Sequence, residues 1–367
     1  AAEGFCRRYG VSLDCMYRKI DGKMEYVYVQ VTESARFAVE VLAEELPSII
    51  AKASFTKSMR WNSQVMFSRP IRWILSLHGN AVVPFAFAGL SSGKLTCGLR
   101  NSYSATFEVS DAESYLGAMK MARILIDIEE RMNKIMHLSS SLAESVGGQL
   151  LLQDGLLEEV SNLVETPVPI LGQFDESFLE LPKEILIMVM RKHQKYFPII
   201  DKSNGELLPF FISVANGVVN VNVVKKGNEA VLRARYEDAK FFYKLDTQRS
   251  FSEFRPHLNG ILFHEKLGTM LDKVVRIQKM VSKLSLALGM DESVGPLVDA
   301  AAALAMSDLA TSVVTEFTSL SGLMARHYAL RDGFPEQIAE ALLEITLPRF
   351  SGDAVPKTDA GIVLSIA

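Results

Sequence analysis

A change in hydrophobic periodicity near Gly217 constrains the fold of this chain more than any other feature. From Lys225 onward the apolar spacing is helical: Leu232, Tyr236, Ala239 and Tyr243 recur at i, i+4, i+7 and i+11, which aligns them on one face of a 3.6-residue period. Arg233, Glu237, Lys240 and Lys244 line another face. Val274, Ile277, Val281, Leu284 and Leu288 repeat the pattern over 271–288, and further helices are expected over 298–309, 312–330, 335–343 and 358–367. Before Gly217 the signals are mixed. A hairpin is expected over 16–31 around Asp21, Gly22 and Lys23, with strands near 71–77, 82–87, 168–171 and 210–214. Helices fall between them near 34–46, 111–121, 128–145, 156–165 and 182–194. The expectation is an α+β chain: an α/β layered domain over 1–217, a linker over 218–227 ending at Gly227, and an all-α domain over 228–367.

With 367 residues, 49% of them hydrophobic, the chain has ample material for a core. No apolar run approaches the roughly 18 residues of a membrane helix. Cys6, Cys15 and Cys97 form an odd set without a CxxC, pointing to a reducing compartment and to no structural zinc. The chain begins AAEGFCRRYG and stops at GIVLSIA inside a helical pattern, which fits an internal piece of a longer polypeptide.

Charge is distributed unevenly. From Leu46 to Phe107 no Asp or Glu occurs, where composition predicts about seven. That stretch holds Lys57, Arg60, Arg69, Arg72 and Arg100 in a chain of net charge −4, a pattern suited to a polyanion such as RNA. Trp61 and Trp73 adjoin two of these arginines and offer stacking surfaces, although a core position is the ordinary expectation for each. Arg191 and Lys192 close a helix, where complementing the helix dipole also explains them. Lys266, Lys273, Arg276, Lys279 and Lys283 decorate the helix over 271–288 and its approach, opposed there by Asp272. The candidate RNA contacts are therefore Lys57, Arg60, Arg69, Arg72, Arg100, Arg191, Lys192, Arg233, Arg235, Lys266, Lys273, Arg276 and Lys283.

Several phrases occur in a recognisable order: KSMRWNS at 57–63, FSRPIRWIL at 67–75, LLEEVSNLVETPVPILGQF at 156–174 and RKHQKYFPI at 191–199. LLPFFISVANG at 207–217, KKGNEAVLRARYEDAKFFYKLD at 225–246 and GILFHEKLGTMLDK at 260–273 follow. VVTEFTSLSGLMARHYAL at 313–330 and LPRFSGDAVPKT at 347–358 complete the series. Together they resemble the β subunit of the bacterial-type glycyl-tRNA synthetase, and most closely the plant organellar form in which α and β are fused. The resemblance implies a β portion of a glycine–tRNA ligase that binds tRNA(Gly), docks the catalytic α part and belongs to an oligomeric holoenzyme. ATP and Mg²⁺ would act on the α part, and this piece would hold no cofactor of its own. The location implied is a chloroplast or mitochondrion, or the cytoplasm if the source is bacterial. A scaffold without RNA contact is one alternative, and an HD-type phosphohydrolase is the other.

The same resemblance implies a module like that of the phenylalanyl-tRNA synthetase β subunit in the first half and an HD-type helical domain in the second. HD hydrolases hold metals through a His, a His-Asp doublet and a later Asp. Here the corresponding stretch reads LAMSDLAT, with Ser307 at the His position beside Asp308. A metal centre and phosphohydrolase activity are therefore not expected, and Asp308 is read as a structural hydrogen-bonding group or a partner contact. KMVSKLS at 279–285 lies inside a helical pattern, and HEKLG at 264–268 lacks the second His of a zinc-protease helix. No catalytic residue is assigned.

Overall fold

The computed structural model describes residues 2–22, 24–31, 35–61, 65–100, 106–152 and 155–367. Lys23, Ser34, Asn62 and Ser63, which enter the expectations above, lie outside the described residues. The chain forms two compact units, Ala1–Ile124 and Leu125–Ala367.

In the first unit, the expected hairpin pairs Met16–Asp21 with Met24–Val29 in antiparallel register. Gly22 turns it at φ +65°, a conformation glycine adopts without a Cβ penalty. The next helix runs Ala38–Ala51. The strands expected over 71–77 and 82–87 are broken into two-residue pieces, Ile74–Leu75, Leu77–His78, Ala81–Val82 and Ala86–Phe87. A three-stranded sheet joins Ile74–Leu75, Leu90–Gly93 and Ala86–Phe87, the first pair parallel. Val83, Leu99, Val109 and Met119 are buried, while Phe37, Ile20 and Met24 stay largely exposed.

The second unit is built on a four-stranded antiparallel sheet in the order Gly148–Leu150, Phe197–Asp201, Leu207–Asn216, Pro167–Gln173. Strand Leu207–Asn216 explains the layering, because successive side chains point to opposite faces. Phe210, Ile212 and Val214 pack with Ile135, Ala143 and Val160, from helices Ile128–Glu144 and Leu156–Leu163. Leu207 and Phe211 face the other way, into a core shared with Leu232, Tyr236 and Ala239. Those three lie on the 26-residue helix Val221–Asp246, which carries the stripe legible in the sequence.

That second face decides the domain boundary. The stretch 218–227, expected as a linker, instead enters this helix at Val221, capped by the Asn220 side chain accepting from the Val223 N–H. Glu229 accepts from the Gln173 N–H at 3.0 Å, Asn228 donates to the Ser213 hydroxyl at 2.8 Å, and the Tyr236 hydroxyl donates to the Leu186 carbonyl at 3.2 Å. Sheet and helical array therefore share one core, and the compact units divide at Ile124/Leu125 instead of at Gly217.

The helical region also departs from an all-α expectation. A 3₁₀ stretch, Phe251–Gly260, leads into a small hairpin of Leu262–His264 and Gly268–Thr269. The helix expected over 312–330 is interrupted: Ser312–Glu316, a 3₁₀ turn at Thr318–Leu320, then Leu323–Arg331. Gly322 stands at the break with φ +81°.

Three buried carboxylates tie this region together. Asp246 accepts from the N–H groups of Ser312 and Val313 at 2.7 and 2.9 Å and from the Tyr328 hydroxyl at 2.8 Å. Asp308 accepts from the Gly322 N–H at 2.7 Å, and Glu344 accepts from the N–H groups of Lys357 and Thr358. Each satisfies donors that burial would otherwise leave unpaired.

Candidate nucleic-acid interface

In the first unit Lys57, Arg60, Arg69, Arg72 and Arg100 are all exposed, as the acid-free run requires if they are to meet a polyanion. Arg60 stands on a two-stranded ribbon, Met59–Arg60 with Met66–Phe67, against which Phe55 packs edge-on to Phe67 at 4.7 Å. Trp61 and Trp73 are 39% and 44% exposed, so both depart from the core expectation and both offer indole surface beside an arginine. The short strands here bury little side-chain area, which is why these large rings find no core to enter.

In the second unit, the helix Met270–Ala287 starts at a capping box: the Thr269 hydroxyl accepts from the Asp272 N–H while Asp272 accepts from the Thr269 N–H. The Thr269 N–H first, and then the Thr269 hydroxyl, donate to the Asp272 carboxyl and hold it below its usual range. The Arg276 guanidinium adds a smaller share, so Asp272 both caps the helix and opposes one of its cations. Phe263 on the hairpin is 40% exposed, with the Lys273 ammonium 4.9 Å and the Arg276 guanidinium 6.0 Å from its ring centre. Arg276 also donates to the Leu267 carbonyl at 2.8 Å, clamping the hairpin to the helix. Lys266 is exposed on the hairpin turn, and Lys283 is exposed further along the helix.

Arg191 and Lys192 lie in a π-helical turn, Val189–Gln194, that continues the short α-helix Lys183–Met188. The turn ends at Lys195 with φ +59°, and the Lys195 ammonium pairs with Glu159 at 2.7 Å. Both Arg191 and Lys192 line a cleft of about 510 Å³ together with Arg349. His193 beside them titrates below its usual value, because burial and then the charges of Arg235 and Lys192 disfavour its cation. Arg233 and Arg235 are exposed on the long helix. The basic set of this unit is thus spread over three places: the hairpin and its helix, the π turn, and the long helix.

The metal reading finds no donor set. Asp308 is 1% exposed, and burial, outweighing its hydrogen bonds, raises its carboxyl above the usual range. The Ser307 hydroxyl beside it is buried without a protein partner. Among the described residues no group of three or more His, Cys, Asp or Glu side chains could hold a metal ion. An HD-type centre does not fit these residues.

A family model described as glycyl-tRNA synthetase beta subunit matches residues 1–367. This chain belongs to the glycyl-tRNA synthetase beta subunit family. It is 68% identical over 366 residues to the chloroplastic/mitochondrial glycine–tRNA ligase 2 of Arabidopsis thaliana, covering 100% of this chain and 34% of that protein. It is 41% identical over 366 residues to the glycine–tRNA ligase beta subunit of Desulforamulus reducens, covering 99% of this chain and 52% of the relative. The corresponding protein of Halothermothrix orenii is 41% identical over 369 residues, covering 100% and 53%. The chain thus spans a third to about half the length of these curated relatives.

Within this beta-subunit chain, sequence reasoning passed over Phe263 and Arg349. Phe263 was recoverable: an aromatic three residues before Lys266 at a hairpin is a stacking signal. Arg349 was not, since only the tertiary fold brings it to the cleft that Arg191 and Lys192 line.

Proposed function

We propose that this chain is the tRNA-holding and assembly portion of a glycine–tRNA ligase. It contacts tRNA(Gly) phosphates and docks a catalytic α part, which activates glycine with ATP and Mg²⁺. The observation that carries this reading is the family match across the whole chain together with exposed cations in an acid-free run and around Phe263. Phosphate contacts of this kind position an RNA without reading its bases. The oligomeric state follows that of the holoenzyme. The 68% identity to an organellar relative, against 41% to bacterial ones, favours a chloroplast or mitochondrion. A module like that of the phenylalanyl-tRNA synthetase β subunit, followed by a degenerate HD-like domain, remains part of the proposal.

The test is a tRNA-binding titration across a salt series, with and without the α part, coupled to glycine-dependent pyrophosphate exchange. Salt-sensitive tRNA binding is expected from the chain alone, and exchange only when the α part is added. Unchanged tRNA affinity with weakened α association, after glutamine replacement of Lys57, Arg60, Arg69 and Arg72, would assign that surface to subunit contact instead.

A further inference from the structure

Trp61 and Trp73 are the two tryptophans of this chain, and both stand exposed inside the acid-free run of the first unit. Phe55, Met59 and Met66, near them in sequence, are exposed as well, so the rings belong to an apolar patch and not to a scatter of single residues. The ribbon of Met59–Arg60 with Met66–Phe67 sorts its side chains by chemistry. Met59 opposes Phe67 and Arg60 opposes Met66, which puts the two pairs on opposite faces. Trp61 continues the first strand, its N–H donating to the Val65 carbonyl at 2.9 Å, and by alternation returns to the face of Met59 and Phe67. Phe55 packs against Phe67 on that side. One face of a thin ribbon is therefore aromatic and open, with Lys57 shortly before it in the chain and Arg60 between Met59 and Trp61.

The cations of this run are free to meet a ligand. Among the described residues, the charged groups of Lys57, Arg60, Arg69 and Arg72 have no ion-pair or hydrogen-bond partner. Lys94, nearer the edge of the run, is by contrast paired with Glu108 at 3.7 Å. Unopposed positive charge of this kind marks nucleic-acid interfaces more than protein ones. Cations alone would serve a duplex, whose phosphates lie outside and whose bases are already stacked on one another. Open aromatic rings add nothing to that contact, whereas an unpaired base stacks on them directly. The two indoles are also close enough for one strand to reach. Trp61 is paired with Val65, and the eight residues from Val65 to Trp73 span at most about 29 Å. Ten nucleotides at about 3.4 Å each cover that distance.

We propose that the first unit binds an unpaired segment of RNA, with one base stacked on Trp61, another on Trp73, and the intervening phosphates held by Lys57, Arg60, Arg69 and Arg72. The proposal rests on the tRNA reading above and adds to it the part of the RNA that this unit takes, a single strand and not a helical stem. Every base has a π face, so stacking of this kind selects strandedness without selecting sequence. The cations supply affinity common to both forms, and the two indoles discriminate between them.

Because the chain has no other tryptophan, its intrinsic fluorescence reports on this surface alone. The full chain is titrated, at one fixed salt concentration, with a ten-nucleotide RNA strand lacking self-complementarity and with the same strand annealed to its complement. Saturable quenching by the single strand is expected, with the duplex binding at least about tenfold more weakly. Anisotropy of a labelled strand then reads the variants. Trp61→Ala and Trp73→Ala should each weaken the single strand by about fivefold to a hundredfold, with duplex affinity and melting temperature unchanged. Phenylalanine at either position should recover part of the loss, because a ring is retained. Glutamine at Arg60 and Arg72 should flatten the salt dependence of single-strand binding by about 0.7 per charge. Equal affinity for strand and duplex, or alanine variants that bind the strand as the parent chain does, would overturn the proposal, and tRNA binding that persists in that case keeps the tRNA reading. Single-strand binding by a chain that does not bind tRNA would keep this surface and refute that reading. Loss of association with the α part in the alanine variants, with neither form of RNA bound by the parent chain, would assign the surface to a protein partner and overturn the proposal.

Discussion

Asp246→Ala should be the most damaging single change in the helical region, and its cost can be worked from the three bonds it removes. Asp246 is 1% exposed and is the last residue of the long helix Val221–Asp246. Its oxygens take the N–H groups of Ser312 and Val313 at the start of helix Ser312–Glu316, together with the fully buried Tyr328 hydroxyl. Removing the carboxylate strands these donors, each at about 1–3 kcal/mol when buried, so a loss of about 3–5 kcal/mol is expected. That is a large share of the about 5–15 kcal/mol that holds a domain together. Tyr328→Phe alone removes one bond and leaves the carboxylate with two donors, costing about 1 kcal/mol. In the double variant the stranded hydroxyl is gone, so the combined loss should fall short of the sum by about 1–2 kcal/mol. Urea unfolding followed by far-UV circular dichroism gives the energies. Intrinsic tryptophan fluorescence does not serve here, because Trp61 and Trp73 both belong to the other compact unit. Exchange of the Val313 amide hydrogen supplies a local readout, with protection lost in Asp246→Ala. Strict additivity in the cycle, or a loss under about 1 kcal/mol for Asp246→Ala, would refute this account of the network.

Three further outcomes follow from the same geometry. Burial first, and the Asp246 carboxylate second, hold the Tyr328 phenol above its ordinary value, so the folded state keeps a proton that the unfolded chain releases near pH 10. Its contribution to stability is complete below that pH and lost as pH rises above it; a stability–pH curve of Tyr328→Phe should therefore fall less steeply above pH 10. With Asp308 accepting from Gly322, Asp308→Ala should cost about 1–3 kcal/mol in urea unfolding, and neither EDTA nor added Mn²⁺ should move the melting temperature; a metal-dependent shift abolished by that substitution would restore the hydrolase reading. Glutamine at Lys266, Lys273 and Lys283 should flatten the slope of log affinity for tRNA against log salt by up to about 0.9 per charge, whereas an unchanged slope would remove this helix from the RNA surface.

The elements legible in the sequence are those whose burial pattern is local. The stripe Leu232, Tyr236, Ala239 identified the long helix, and the helix Ile128–Glu144 begins where Asp127 caps it, its side chain accepting from the Glu130 N–H. The hairpin over 16–29 followed from its turn residues. The exposed cations, too, were readable as a run without acids. Strand Phe197–Asp201 was not, because Pro198 obscures a run whose strand partners lie at both Gly148–Leu150 and Leu207–Asn216. The break at Gly322 was marked by its glycine, but what fixes it is Asp308 from an earlier turn. The domain division and the cleft depend still more on distant parts: one sheet face must find the long helix, and Arg349 must arrive beside Arg191. Periodicity records which face of an element is apolar; it does not record which partner covers that face, because any apolar surface of the right shape satisfies the same hydrophobic driving force. The sequence by itself therefore determined the charges and those elements whose apolar pattern is local, and tertiary packing decided the remaining elements and where all of them meet.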